Sequence, residues 1–594
     1  MEYPPLRAKT DQMARCLRRD ISLYMDRWMI YSKKADFFAV AKKFNISPML
    51  ARILRNRDLV TDEEISNFLY GSLSDLHDPF LLKGMDEAVQ AARGEMARGT
   101  KICIMGDYDS DGVCSSFILK SYFDYAGAKS TVCLPDRIRD GYGMNVRMVH
   151  EAFEDGAGLI ITCDNGISCH DAVAEAKELG MTVIVTDHHE VSAGLPCADA
   201  VVDPRQEGCQ YPFKDICGAV VAWKFVQAML KDDAGAQAAA LIDYLLQFAA
   251  VATVTDIMPL KDENRIIVRE GLKRLSVTGN RGLRALMELK GISGQSITSF
   301  HVGFVIGPCL NSAGRLESAD EAFDLLYEKD PEKAAQTAGH LNELNEKRKQ
   351  LTSDQIDRAQ ELINKDISEK GSPDRIIVCF LPEAHESIAG IVAGHLKEEY
   401  NRPAFIITGA NDGLKGSGRS IPAYNMIEAL TARADLMQKF GGHAGAAGFT
   451  LDCSVEEFRS ALNADCTLTA SDLEKTVWLD MRLPFEYVSP EFVKELELLE
   501  PFGTGNDKPL FAEKDITVLK SSVVGKNRTA LKMVLENAGG ARMDAVYFSS
   551  PENISAAAGK TASGSKIMIT YYPSINEWRG MQSLQIVIRD IRFQ

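Results

Sequence analysis

From about residue 100 to 205, apolar β-type runs alternate with helical ones: KICIM, VCSSFILKSYFDYAG, STVCLP, VRMVHEAFEDG, GLIITCD, HDAVAEAKELG, MTVIVTD and ADAVVDP. No other feature narrows the fold as far, because strands joined through helices pair mostly in parallel and are flanked by those helices. Three of the strands run straight into polar clusters: GDYDSDG at 106–112, CDNG at 163–166 and TDHHE at 186–190. Ligands in such sheets bind at the carboxyl ends of strands, so the three clusters are expected to converge on one site.

GDYDSDG opens like a calcium loop, with alternate aspartates and a glycine in sixth place. That reading fails twice: the twelfth position is Ile118, where a bidentate Glu is needed, and the preceding TKICIM reads as a strand and not as a helix. At an effective dielectric near 20 and ~5 Å separation each like-charged pair costs roughly 3 kcal/mol, so a counter-charge is expected nearby. Asp107, Asp109 and Asp111 suit a hard divalent ion with oxygen ligands, although an isolated DxDxDG is equally a solvated turn. Asp164 ends an apolar strand, where an acid is often only the N-cap of the next helix. His188 and His189 are adjacent at a strand end, where two imidazoles are not easily both satisfied as core groups. Asp256, in VATVTDIMPL, is a lone acid between apolar residues and costs stability unless paired or coordinating. Taken together these positions imply a mixed carboxylate and imidazole site for one or two Mn²⁺ or Mg²⁺ ions.

The remaining sequence sets the frame. At 594 residues the chain needs several cores. A net charge of −16 argues against a general nucleic-acid coat, so any basic surface must be confined to a groove. The 13 cysteines are scattered without a C-x-x-C pair and read as buried hydrophobes in a reducing compartment. Apolar stretches break off short of ~20 residues and no secretory signal is visible, so a cytoplasmic protein without a membrane span is expected. The fold class is α/β and multidomain. Its expected parts are an N-terminal helical collar on the first domain (1–75), a parallel-sheet catalytic domain (76–319) and a connecting helix (320–370). A second α/β domain (371–455) and a C-terminal barrel of the oligonucleotide-binding kind (456–594) follow.

Asp187, His188 and His189 are the Asp-His-His triplet of the DHH phosphoesterases, and the chain resembles that family. GDYDSDG, PDRIRDGYGMN, TCDNGIS, VTDHHE, VTDIMPL, IGPCLNSAGRL, GSGRS and GGHAGAAG, in this order, resemble the branch that degrades single-stranded DNA from the 5′ end in repair and recombination. The resemblance implies a two-metal phosphodiester hydrolysis. Asp109 and Asp111 would each serve one metal, Asp107 would be an extra acid, Asp164 would bridge, and His188 and Asp256 would complete the second site. His189 would face the scissile phosphate and Asp187 would orient the histidines. Substrate contacts would come from Arg137, Asn311, Arg315, Ser417, Arg419 and His443. Stacking on the C-terminal barrel would come from aromatics such as Phe511, Tyr547, Phe548, Tyr571, Tyr572 and Trp578. Single-strand-binding protein and a helicase are the implied partners of a monomer. The alternatives are a phosphodiesterase for nanoRNA or nucleotides, and a replication-associated binding protein with a weak site. Cys309, Ala384 and Ser387 depart from the family pattern, which has arginine, tryptophan and glycine there.

Overall fold

The computed structural model describes residues 26–191, 194–410, 413–578 and 580–593. The chain enters with β1 (Arg27–Ile30) and three short helices, Phe37–Phe44, Pro48–Asn56 and Asp62–Tyr70. Thr61 caps the third in a reciprocal capping box with Glu64, as TDEE in the sequence implies. Helix Met85–Arg98 then leads into a five-stranded sheet of β2 (Lys101–Met105), β3 (Ser130–Cys133), β4 (Ala157–Cys163), β5 (Thr182–Thr186) and β6 (Ala200–Val202). The spatial order is β3-β2-β4-β5-β6 and every pairing is parallel. The carboxyl ends of β2, β4 and β5 therefore point one way, and the three polar clusters lie along one edge.

A block of helices covers one face of this sheet. Helix Ala236–Thr255 is long and apolar enough by composition to cross a membrane, although Asp243 and Gln247 interrupt its apolar run. Its apolar residues are instead in the main core, with Leu245, Phe248 and Val251 packed among Phe117, Val220 and Phe225. Its C-terminal half, Leu245 to Thr253, is buried between other helices, which is why that half is almost wholly apolar.

The expected single connector over 320–370 is two helices. Asp320–Tyr327 stops before Asp330, whose carboxylate caps the 40-residue helix Pro331–Lys370, with proline in its first turn. The second sheet contains β7 (Ile377–Phe380), β8 (Ala404–Ala410), β9 (Gly413–Arg419), β10 (Met437–His443) and β11 (Ala446–Leu451), in the order β10-β11-β9-β8-β7. Only β7 and β8 are parallel. GGHAGAAG, whose glycines also suit a tight helix start, forms the turn of the β10–β11 hairpin. Phe458 and Leu462 of helix Val455–Ala464 pack into this sheet's core, so that core extends past residue 455.

Next come β12 (Thr476–Leu479), β13 (Met481–Arg482), β14 (Phe511–Val524), β15 (Ala530–Glu536), β16 (Arg542–Phe548), β17 (Lys566–Trp578) and β18 (Met581–Phe593). The third sheet has the order β13-β14-β15-β16-β18-β17, and β14 also pairs with β17. Phe511 and Tyr571 are fully buried in it, so these two rings are core and not stacking surface. Phe548 is exposed, while the Trp578 side chain lies outside the described residues.

The N-terminal helices sit differently from the collar expected on the first domain. Leu50, Ile53, Phe68 and Leu69 share a core with the third sheet, and β1 pairs with β12 in parallel. Arg265 of helix Asp262–Ser276 ties these parts to the catalytic block. Its buried guanidinium donates to the carbonyls of Phe68, Leu498 and Leu499, each at 2.8 Å, and lies 3.8 Å over the Phe68 ring.

Candidate active site

The first cluster is built by a helix start. Asp109 caps helix Ser110–Tyr125 by accepting from the backbone of Asp111 (2.8 Å) and Gly112 (3.2 Å), so Asp111 already lies in the first helical turn. The chain doubles back so tightly that a Cβ on Gly112 would come within 2.4 Å of the Asp107 carbonyl oxygen. Both carboxylate oxygens of Asp111 accept backbone N–H bonds at 2.7 Å, from Gly218 and Ala219 at the N-terminus of helix Gly218–Met229. The positive end of that helix offsets part of its charge. Gly218 permits this approach, since a Cβ there would lie 2.5 Å from the Cβ of Asp164. Asp164 follows β4 with a left-handed φ of 62° and caps no helix, the next beginning at His170.

The six expected ligands come together as two groups. Oxygens of Asp107, Asp109 and Asp164 lie within 4.8 Å of one another, as do ligand atoms of Asp111, His188 and Asp256. His188 Nε2 joins the groups, at 3.1 Å from Asp164, 3.7 Å from Asp111 and 3.8 Å from Asp256. Asp256 caps the end of helix Ala236–Thr255, and its buried Oδ2 has no hydrogen-bond partner. Burial first, and the neighbouring carboxylates second, push the pKa of Asp107, Asp164 and Asp256 up, and that of Asp111 to about 6. Burial and the adjacent His189 lower the pKa of His188 to about 3, leaving the neutral imidazole that a ligand must be. Crowded oxygens, a neutral imidazole and an orphaned carboxylate oxygen fit a pair of hard divalent cations.

Asp187 belongs to neither group. Its oxygens accept from the backbone of Ile167 (2.9 Å) and His188 (2.7 Å) and from Nδ1 of His189 (2.7 Å). Burial alone would raise its pKa, but His189 reverses this and holds it below the usual carboxylate value. Asp187 therefore holds the ring of His189 and the backbone of His188. Sequence reasoning misses Tyr142 in PDRIRDGYGMN, yet its hydroxyl donates to the Asp164 carbonyl at 2.6 Å and lies 3.0 Å from His189 Nδ1. A tyrosine between glycines carries no periodic signal that marks it.

Burial opposes the charging of His189, but the hydrogen bond and charge of Asp187 prevail and raise its pKa from 6.5 to about 9. With a folded pKa above the unfolded one, this pair stabilises the protein fully below pH 6.5, and the contribution disappears as pH rises through about 9. Melting temperatures of metal-free protein across that window are expected to fall, and Asp187→Asn to flatten the dependence. An unchanged slope in the variant would show that the pair is not its source.

Beside Asp107 and Asp109 a cleft of about 370 Å³ opens between the first and second sheets, lined by Tyr108, Arg137, Ser417, Lys439 and Gly441 among others. The Arg137 guanidinium lies 4.5 Å over the Tyr108 ring. Arg419 Nη1 donates to the Gly418 carbonyl (2.8 Å) and lies 3.4 Å from Ser417 Oγ. Arg315 donates to the Ser387 carbonyl at 2.7 Å, joining helix Gly307–Leu316 to the second unit. Burial, reinforced by Arg137, lowers the pKa of Arg315 to about 9 and also lowers that of Arg419. Among the described residues none of these three arginines has an ion-pair partner, and a guanidinium is suited to pair with an anion.

Two expected contacts differ in detail. The Asn311 oxygen accepts from the Ser110 backbone at 2.7 Å, holding the metal loop, so only its amide nitrogen remains for a ligand. His443 sits at the exposed end of β10, its Nδ1 accepting from the Gly445 backbone at 3.2 Å. Cys309 is fully buried and faces Asn345 of the long helix, 3.4 Å away.

Known proteins match this arrangement part by part. The DHH family, N-terminal domain, matches residues 101–253, the DHHA1 domain 374–467 and the RecJ OB domain 479–590. The single-stranded-DNA-specific exonuclease RecJ of Bacillus subtilis (strain 168) is 36% identical over 571 residues, covering 95% of this chain and 70% of that protein. RecJ of Escherichia coli (strain K12) is 33% identical over 565 residues, or 92% of this chain and 96% of that one. The crystal structure of RecJ in complex with Mn²⁺ from Thermus thermophilus superposes with a TM-score of 0.80 at 28% identity, covering 96% of this chain and 80% of that chain. With its ligand groups, sheet order and all three matched regions in sequence, the chain belongs to the RecJ family of DHH proteins.

Proposed function

We propose that the protein is an exonuclease that hydrolyses the phosphodiester bonds of single-stranded DNA from the 5′ end, with Mn²⁺ or Mg²⁺ as cofactor. The observation that carries this reading is the placement of the two ligand groups next to the cleft that Arg137 lines, with Tyr108 between Asp107 and Asp109 in sequence and lining the cleft. When bound, a pair of such ions supplies a nucleophile at neutral pH and neutralises charge on the attacked phosphate. Asp107, Asp109 and Asp164 would hold one ion, and Asp111, His188 and Asp256 the other, with Asp164 between them. His189, held by Asp187 through Nδ1, would steady a phosphate oxygen or hand a proton to the leaving oxygen.

Arg137, Arg315, Ser417 and Arg419 would take the terminal 5′ phosphate, with His443 and the amide nitrogen of Asn311 as further contacts. A charged end group seated next to the metal groups fixes the reaction at the terminus, which is what makes an exonuclease. Single-strand-binding protein and a helicase as partners, and a monomeric state, belong to the same reading.

Polarity is tested on strands blocked at one end. A 5′ block is expected to protect the strand and a 3′ block not to, and the reverse result sinks the assignment of direction. Arg419→Ala is expected to reduce the preference for a 5′-phosphorylated over a 5′-hydroxyl end by roughly tenfold, the size of one charge-assisted contact. An unchanged preference in the variant removes Arg419 from the phosphate seat.

A further inference from the structure

The helix end that precedes Asp256 packs against a run carrying two exposed aromatic rings, which the proposed hydrolysis does not use. Phe300 and Phe304 are 61% and 69% exposed, and their rings stack on each other with centroids 5.0 Å apart and planes 27° apart. They belong to a helical run over 299–316 whose Val302–Ile306 stretch is a π-turn. Such turns are rare and occur frequently at functional sites. This run packs on the end of helix Ala236–Thr255: a Cβ on Gly307 would lie 2.3 Å from Thr255 Cγ2, and one on Gly303 3.7 Å from Val254 Cγ1. The next residues of that helix end are the ligand Asp256 and then Ile257, which is 70% exposed with a φ of 59°. The C-terminal unit docks beside them, where Ser299 Oγ donates to the Phe502 carbonyl and the Leu260 backbone donates to Thr504 at 2.7 Å.

We propose that Phe300 and Phe304 form a stacking platform for nucleobases of the strand on the 3′ side of the scissile bond. The inference rests on the single-stranded-DNA reading above and adds a binding site to it. The terminal-phosphate cleft is lined by Tyr108, between Asp107 and Asp109 in sequence, whereas the helical run that carries the ring pair packs on Val254 and Thr255, next in sequence to Asp256 of the other ligand group. A strand with its 5′ end in the cleft that crosses both groups emerges at Ile257 and the two rings, and continues toward the C-terminal unit. Two solvent-exposed rings fixed by one helix are already ordered, so little conformational entropy is lost when a base stacks on them. Their flat faces accept any base, as a sequence-tolerant enzyme needs.

The test is fluorescence anisotropy of 3′-labelled oligothymidylates of graded length, in chelator so that nothing is cleaved. Phe300→Ala and Phe304→Ala are expected to weaken binding roughly tenfold each, within the range for loss of one base–aromatic stack. Phe304→Tyr should keep the affinity and Phe304→Leu should lose it, because a π-face and not mere apolarity is required. Phe153→Ala, at another exposed ring 45% accessible, is the control and should bind like the parent. The loss should appear only with oligonucleotides long enough to pass both ligand groups. Parent protein that binds no single strand overturns the exonuclease reading itself. Parent protein that binds, with Phe300→Ala and Phe304→Ala binding equally well or Phe304→Leu retaining full affinity, overturns the platform alone.

Discussion

Asp164→Asn is expected to abolish metal-dependent hydrolysis of single-stranded DNA, with kcat/KM falling by about 10³-fold or more, because several kcal/mol of charge stabilisation would depend on the proposed bridging position. Asn is the informative replacement because φ at this position is 62°, a conformation Asn tolerates and Ala does not. The metal-free variant is expected to melt at a higher temperature than the parent. Asp164 is buried against Asp111, Asp109, Asp107 and Asp256, and removing its charge relieves that repulsion. Conversely, the rise in melting temperature on adding Mn²⁺ should shrink markedly in the variant. Retained hydrolysis, or a metal-induced shift equal to the parent's, would falsify the assignment of Asp164 as the shared ligand.

The second large effect concerns assembly and not chemistry. Arg265→Ala removes the donor for three carbonyls, those of Phe68, Leu498 and Leu499, and the cation stacked on Phe68. Burial lowers the pKa of this guanidinium to about 9, so the folded state already bears a desolvation cost that only these acceptors offset. Leaving them unsatisfied in the interior costs about 3 kcal/mol or more. Because the carbonyls belong to the N-terminal helices and to the segment between β13 and β14 of the third sheet, unfolding in urea should split into two transitions, with the C-terminal part lost first. Arg265→Lys should not rescue, since one ammonium cannot span the fork occupied by a guanidinium. A single transition at the parental midpoint would show that the anchoring resides elsewhere.

Much of the site is legible in the residue order alone. Strands ending in Asp107 to Asp111, Asp164 and Asp187 to His189 had to align at one edge once the sheet was parallel, because that pairing sets every carboxyl end in the same direction. Asp256 was recognisable as an acid that an apolar context could not tolerate alone. What could not be read were partnerships between distant segments. Nothing in the local pattern says that Asn311 holds Ser110, that Tyr142 reaches Asp164, or that Gly218 exists to admit Asp164. The fate of aromatics was equally hidden: Phe511 and Tyr571 are core while Phe548 is exposed, a difference set by which face of a strand each occupies.

The sequence by itself determined the ligand chemistry, the parallel catalytic sheet and the order of its parts, because residue type and short-range periodicity carry that information. Tertiary structure alone decided how the ligands divide into two groups and that Asp107 joins Asp109 and Asp164. It also decided that the N-terminal helices pack on the third sheet and that Phe300 and Phe304 stand exposed and stacked on a run that packs against Val254 and Thr255. Those outcomes depend on contacts between residues far apart in the chain, whose energies come from burial and charge in three dimensions and leave no trace in local spacing.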